Sequence, residues 1–222
     1  METEKIALFA VWVLPLLFAI TVHEAAHGWM ARRLGDATAE MLGRVTLNPL
    51  KHIDPIGTVV LPVLLYLFSS FVFGWAKPVP VNWRNLQNPR RDMALVALAG
   101  PGANLLMAVL WSLVIKLGFL IAPYSPWFAK PMILMGGAGV LINAILMVLN
   151  LMPVLPLDGG RILSALLPPR QAALFARLEP YGLFIIIGLL VTGLLGKILW
   201  PLVLFTIEIL PASDAVSKML LV

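Results

Sequence analysis

The chain has no cysteine, only three histidines and few charges: 12% of its 222 residues are Asp, Glu, Lys or Arg, against about 25% in an ordinary soluble domain. Without cysteine there are no disulfides and no thiolate metal sites, so any metal must be held by nitrogen and oxygen. With so little charge, the 60% hydrophobic content has to face something other than water. The net charge of +5 would suit a nucleic-acid binder if the basic side chains formed one patch. Instead they sit in short connections between apolar runs, a pattern of membrane topology and not a nucleic-acid footprint. The first apolar run, Ile6 to Thr21, also lacks a basic amino end and a small-residue cleavage site, since Glu2 and Glu4 flank Lys5. It reads as a retained span, not a secretory signal.

What the chain does have is long hydrophobic segments, at about 6–30, 56–73, 93–121, 132–152 and 182–210. Pro15 in the first, and Gly188, Gly193, Gly196 and Pro201 in the last, allow kinks or a break into two shorter helices. The expectation is an all-α polytopic membrane protein with about five to six transmembrane helices, each needing about 20 apolar residues.

Basic residues set the orientation. Arg32, Arg33, Arg44 and Lys51 follow the first segment, Lys77, Arg84, Arg90 and Arg91 precede the third, and Arg161, Arg170 and Arg177 follow the fourth. The positive-inside rule places all three groups in the cytoplasm and the amino terminus outside. A simple crossing by 56–73 would separate the first two groups. This short segment, with Pro55, Gly57 and Pro62, is therefore expected to re-enter, shielded from lipid by protein.

The run 37–50, with Thr38, Val45 and Thr46 around Gly43, predicts a short membrane-associated β-hairpin. The stretch 75–81 carries Pro78 and Pro80 and must be extended; extended backbone beside an active site can pair with an unwound substrate. Trp12, Trp75, Trp83 and Trp127 mark membrane interfaces, where indole is favourable.

Chemistry enters at His23-Glu24-Ala25-Ala26-His27. On a helix, histidines four apart stand one above the other on one face, so both imidazoles can reach one zinc. Glu24, next to the first ligand, is placed to take a proton from water. Ionisable side chains are costly in an apolar helix and mark function. A catalytic zinc of this type needs a third protein ligand. The remaining histidine is His52, and carboxylates also qualify. Asp158, in Asn150-Leu-Met-Pro-Val-Leu-Pro-Leu-Asp158-Gly-Gly-Arg161, follows a hydrophobic segment broken by Pro153 and Pro156 and precedes two glycines, a backbone able to bring a carboxylate close to metal. The residues alone leave three readings for it: a ligand, an N-cap on a helix beginning near Gly159, or a partner for Arg161.

Together these pieces resemble the site-2 protease family of intramembrane zinc metalloproteases. That family pairs HExxH on one core helix with an Asn-x-x-Pro-x-x-Pro-Leu-Asp-Gly-Gly-like motif on another, here Asn150 to Gly160. Ala99-Gly-Pro-Gly-Ala-Asn104 is similar to the family's Gly-Pro-x-x-Asn element, and Asn48-Pro-Leu-Lys-His-Ile-Asp-Pro-Ile-Gly-Thr58 to a stretch of its compact bacterial members; the likeness covers roughly residues 15–165.

The resemblance implies that His23, His27 and Asp158 bind one Zn2+ per chain, that Glu24 is the general base, and that the substrates are membrane-spanning proteins. For Asn104 it leaves open a contact to substrate or oxyanion and a helix-to-helix hydrogen bond. Asn143 reads as interhelical, and Asn150, inside the motif, as interhelical or substrate-binding. His52 is a donor behind the ligands, a substrate contact, or a polar loop residue beside Asp54.

The implied organisation is a single membrane-embedded metalloprotease domain over 1–222, with a core at about 6–165 and carboxyl-terminal helices at 166–222, without the PDZ or nucleotide-sensing domains of larger relatives. It would sit in a bacterial plasma membrane with its active site towards the cytoplasm, its partners lipid and protein substrates and no nucleic acid. Two rivals remain. A membrane zinc transporter also uses His and Asp in its spans but has no need of Glu24. A catalytically silent binder of membrane proteins has no need of the intact set His23, Glu24, His27 and Asp158.

Overall fold

The computed structural model describes residues 2–68 and 74–220. Among the described residues every regular element is helical. The long helices are α1 (Glu2–Arg33), α4 (Pro89–Ile121), α5 (Pro126–Asn150) and α9 (Leu194–Glu208), and the shorter ones α2 (Thr38–Met41), α3 (Leu61–Phe68), α6 (Asp158–Leu166), α7 (Pro169–Ala176), α8 (Gly182–Val191) and α10 (Ser213–Leu220). Among the described residues four stretches are long and apolar enough to cross a membrane: 11–33, 89–121, 126–150 and 169–191. The protein is thus an all-helical membrane protein, with fewer such stretches than the five to six expected.

Helices α1, α4 and α5 pack against one another and make the centre of the molecule. Lipid offers no hydrophobic reward for joining helices, so contact depends on close packing of small side chains. Ala108 on α4 and Ala144 on α5 are wholly buried at this interface, while Leu106, Leu113 and Phe119 stay exposed on the outer face of α4. Val203 and Ile207 of α9 and Val216 of α10 close the same core on its far side. A second cluster joins Ala31 at the end of α1, Leu86 and Val96 at the start of α4, which fixes α1 beside α4 at the depth of the histidines.

The β-hairpin expected over 37–50 does not form. Asp36 accepts from the backbone N–H of Thr38 at 3.2 Å, which starts a helical turn at 38–41. Gly43, at φ 63°, ends it in the left-handed conformation that favours glycine at helix ends, with Arg44 N–H donating back to Ala39 O at 2.8 Å. The glycine read as a hairpin turn is a helix terminator, and Asn48 then caps a 3-10 turn at Pro49–Lys51 by accepting from Leu50 N–H.

The re-entrant path expected for 56–73 is not established by this segment. A π-type turn at Pro55–Val60 runs into α3, about 20 Å of helix against about 30 Å of hydrocarbon, and 69–73 lie outside the described residues. Beyond them, 74–82 takes no helical or strand form, and Pro78 and Pro80 keep it out of helix. Trp75 N–H donates to Gly57 O at 3.0 Å and Lys77 N–H to His52 O at 3.0 Å.

Candidate metal centre

His23 and His27 face α4 and α6 from the last third of α1. The imidazole Nδ1 of His23 lies 2.6 Å from Asn104 Oδ1, and Nδ1 of His27 lies 2.7 Å from the Val96 carbonyl. Asn104 Nδ2 donates to Asn143 Oδ1 at 2.9 Å and to Ala19 O at 3.3 Å, so the atom turned to His23 is an acceptor. Both Nδ1 atoms must then carry the proton and donate. Each Nε2 is left with a lone pair, the tautomer a metal needs.

Those two lone pairs face each other, with Nε2 to Nε2 at 3.0 Å, and Asp158 completes the group. Its Oδ2 stands 3.4 Å from His23 Nε2 and its Oδ1 3.4 Å from His27 Nε2. Ligands bound at ~2.0–2.1 Å in tetrahedral geometry stand ~3.3–3.4 Å apart, so the spacing fits one small cation. Two further features agree. Facing lone pairs repel unless a cation lies between them, and Asp158 Oδ2 is buried with no hydrogen-bond partner, costly unless the oxygen is a ligand. Among the described residues these three form the one group of His, Asp and Glu spaced to hold a metal.

The backbone explains how Asp158 arrives. It is the first residue of α6, whose N-cap is Leu157, and its side chain caps nothing. Arg161 pairs with Glu179 at 3.1 Å and stacks over Trp83 at 5.1 Å, so neither alternative reading of Asp158 is realised. A Cβ on Gly159 would lie 2.1 Å from Leu151 O; only glycine lets α6 start folded against the loop before it.

Glu24 points elsewhere. Its Oε2 accepts from the backbone N–H of Val79 at 2.7 Å, on the stretch 74–82. Arg44 holds the same stretch by donating to Lys77 O at 2.8 Å and Pro78 O at 3.3 Å, and Asp36 accepts from Asn82 N–H at 2.7 Å. A cavity of about 520 Å3 opens between this stretch and the metal group, lined by His23, Glu24, His27 and Asp158 together with Trp75, Val79, Trp83, Asn150 and Arg161.

The other expected site residues part ways. Asn150 lines the cavity while its Nδ2 donates to Leu146 O one turn back at 2.9 Å. Asn104 is wholly buried and its amide is committed to His23, Ala19 and Asn143, bonds that link three helices. His52 lies away from the group: its Nε2 is 3.0 Å from Thr46 O, and it meets the site only through the carbonyl that receives Lys77 N–H.

Reading the sequence missed three features. Trp75 and Trp83, read as interface markers, line the cavity. Val96 orients His27 through its carbonyl, which leaves no side-chain trace. Gly100 packs against the imidazoles: a Cβ there would lie 2.4 Å from His27 Nε2 and 2.6 Å from His23 Cε1. The glycine of the Gly-Pro-x-x-Asn element was the available signal for the last.

The model of peptidase family M50 matches residues 121–193, a region that includes Asp158. The chain is 37% identical over 198 residues to the candidate zinc metalloprotease YwhC of Bacillus subtilis, covering 86% of this chain and 84% of that one. It is 32% identical over 201 residues to the candidate zinc metalloprotease Rip2 of Mycolicibacterium smegmatis, covering 89% and 73%. No solved structure matches the chain.

Proposed function

The chain belongs to peptidase family M50 and is a zinc metalloprotease, and from that premise we propose that it hydrolyses peptide bonds of membrane-spanning proteins at a site built from His23, Glu24, His27 and Asp158. One observation carries the assignment: two imidazole Nε2 atoms and a partnerless carboxylate oxygen converge at 3.0–3.4 Å, with Glu24 opening onto the same cavity.

His23, His27 and Asp158 would hold the zinc, which when bound would lower the pKa of water towards neutrality and polarise the scissile carbonyl. Glu24 takes the proton from the attacking water and returns it to the leaving amine. The Val79 N–H occupies one carboxylate oxygen, Oε2, which leaves the other to take that proton. Asn150 lines the cavity with a polar amide, placed to contact the peptide carbonyl. The apolar walls, including Trp75, Val79 and Trp83, suit a polypeptide from lipid. A substrate helix must unwind to present its amide, which Gly or Pro near the cut makes easier.

The remaining topology follows the same reading. Trp75 bonds to both Gly57 and Thr58, which favours entry and exit on one side of the bilayer for the expected re-entrant segment. Helix α9, packed along α5, adds a fifth crossing. The basic connections put the site on the cytoplasmic side of a bacterial plasma membrane, from which water enters, and residues 1–222 act as one membrane-embedded domain.

The test is cleavage of a panel of model transmembrane substrates by purified protein in liposomes, comparing wild type, Glu24→Gln and a chelated sample. The variant loses at least about 100-fold in rate with zinc content unchanged, and chelation abolishes cleavage reversibly. Cleavage by Glu24→Gln within tenfold of wild type (~1.4 kcal/mol) would remove Glu24 from the mechanism.

A further inference from the structure

We infer that Asn104 and Asn143 form a positioning pair, built across three helices, that fixes the tautomer and orientation of His23 and thereby sets the affinity for zinc. The inference rests on the metal-site reading above.

The pair consists of two wholly buried carboxamides deep between apolar helices, where an unpaired amide is costly. They do not simply satisfy each other. Asn143 Nδ2 donates to Gly139 O, one turn back on α5, at 2.8 Å, which turns its Oδ1 towards α4. There Oδ1 accepts from Asn104 Nδ2 at 2.9 Å, and the second proton of Nδ2 goes to Ala19 O at 3.3 Å. With Nδ2 engaged by two acceptors, Asn104 has one orientation, Oδ1 towards His23 Nδ1 at 2.6 Å. The amide flip that would present a donor to His23, and push its proton onto Nε2, is blocked by two acceptors on the other side.

The direction of each bond therefore propagates from α5 through α4 to the metal face of α1. Ala19 sits one turn before His23, so Asn104 grips both the ring and the helix turn that carries it. Neither asparagine lines the cavity, so the pair acts through His23 and not on substrate. His27, by contrast, takes its acceptor from the Val96 backbone, which cannot flip; only the ligand with a side-chain partner needs a second residue behind it.

The experiment measures zinc affinity of purified protein in detergent by competition with a chelator of known affinity, for wild type, Asn104→Leu, Asn143→Leu and the double variant, with His23→Ala as control. Removing the hydrogen-bond partner of a metal-bound histidine weakens binding by about 10–100-fold, the result expected for Asn104→Leu. Asn143→Leu frees Asn104 to flip and is expected to weaken zinc by about fivefold, the worth of one net hydrogen bond. Because Asn143 acts through Asn104, the double variant should bind no worse than Asn104→Leu, whereas two independent packing defects would multiply.

Thermal unfolding of the zinc-free proteins separates loss of fold from loss of affinity. If Asn104→Leu does not fold, Asn143→Leu decides alone. Folded variants with wild-type zinc affinity, or losses that multiply, overturn the inference. A wild type that binds zinc no better than His23→Ala overturns the metal site itself, a different result.

Discussion

Adjacent residues of α1 are held by opposite kinds of structure. His23 is gripped by side chains from α4 and α5, all buried and each with its hydrogen bonds committed. Glu24 is met by a single backbone N–H from a non-helical stretch that is fastened at its margins by Arg44, His52, Gly57 and Asp36. The difference corresponds to what each must do. A ligand has to stay in place through every turnover, and rigid helices joined by side-chain bonds supply that. The proposed base must meet water, and a single backbone N–H on one carboxylate oxygen leaves the other for it.

The largest effect should come from the rigid side. Asp158→Ala removes one of three ligands and leaves two facing imidazoles. Zinc per chain, measured by atomic emission, should fall from about one towards zero, taking cleavage with it. Full zinc content in this variant would move the site elsewhere. Gly100→Ala presses a methyl against both rings. Overpacking of this kind costs about 1–3 kcal/mol, and here it should appear as weakened zinc binding in a protein that still folds.

Changes on the strip side should leave the metal alone. Arg44→Met removes two hydrogen bonds from the carbonyls of Lys77 and Pro78, and is expected to change cleavage by about fivefold with zinc affinity unchanged. A parallel fall in zinc affinity would mean that the two regions are not separable.

The smallest effect concerns Asp36. Burial raises its carboxyl, but the hydrogen bonds from Thr38, Asn85 and Asn82 outweigh this and hold it below the ordinary 3.8. A depressed folded value stabilises the protein above the unfolded value and is lost as pH falls through the folded one. Thermal stability should therefore drop below about pH 4, and Asp36→Asn should be less stable at neutral pH and flatter across that range.

How much of this the sequence discloses depends on how local each feature is. That His23 and His27 share one face was legible because four residues of helix set it, and the non-helical run at 75–81 because two prolines dictate it. Asp158 could be singled out but not assigned from its own motif, since a cap, an ion pair and a ligand look alike until the fold shows where the side chain points. Asn104 was left between two readings for the same reason: whether an amide meets substrate or a histidine depends on which helices pack. At 37–50 the error was in the turn chemistry, where Gly43 serves equally to close a hairpin or to end a helix, and Asp36, lying outside the pattern, decided it.

The most direct measurement is X-ray absorption at the zinc edge of the purified protein. Three histidines are present in the chain, so the count of imidazoles around the metal identifies the ligands. The arrangement described here gives two imidazoles with oxygen ligands, and His52→Ala leaves the spectrum unchanged, whereas His27→Ala, like Asp158→Ala, loses the zinc. A spectrum with three imidazoles, or one altered by removing His52, would contradict it.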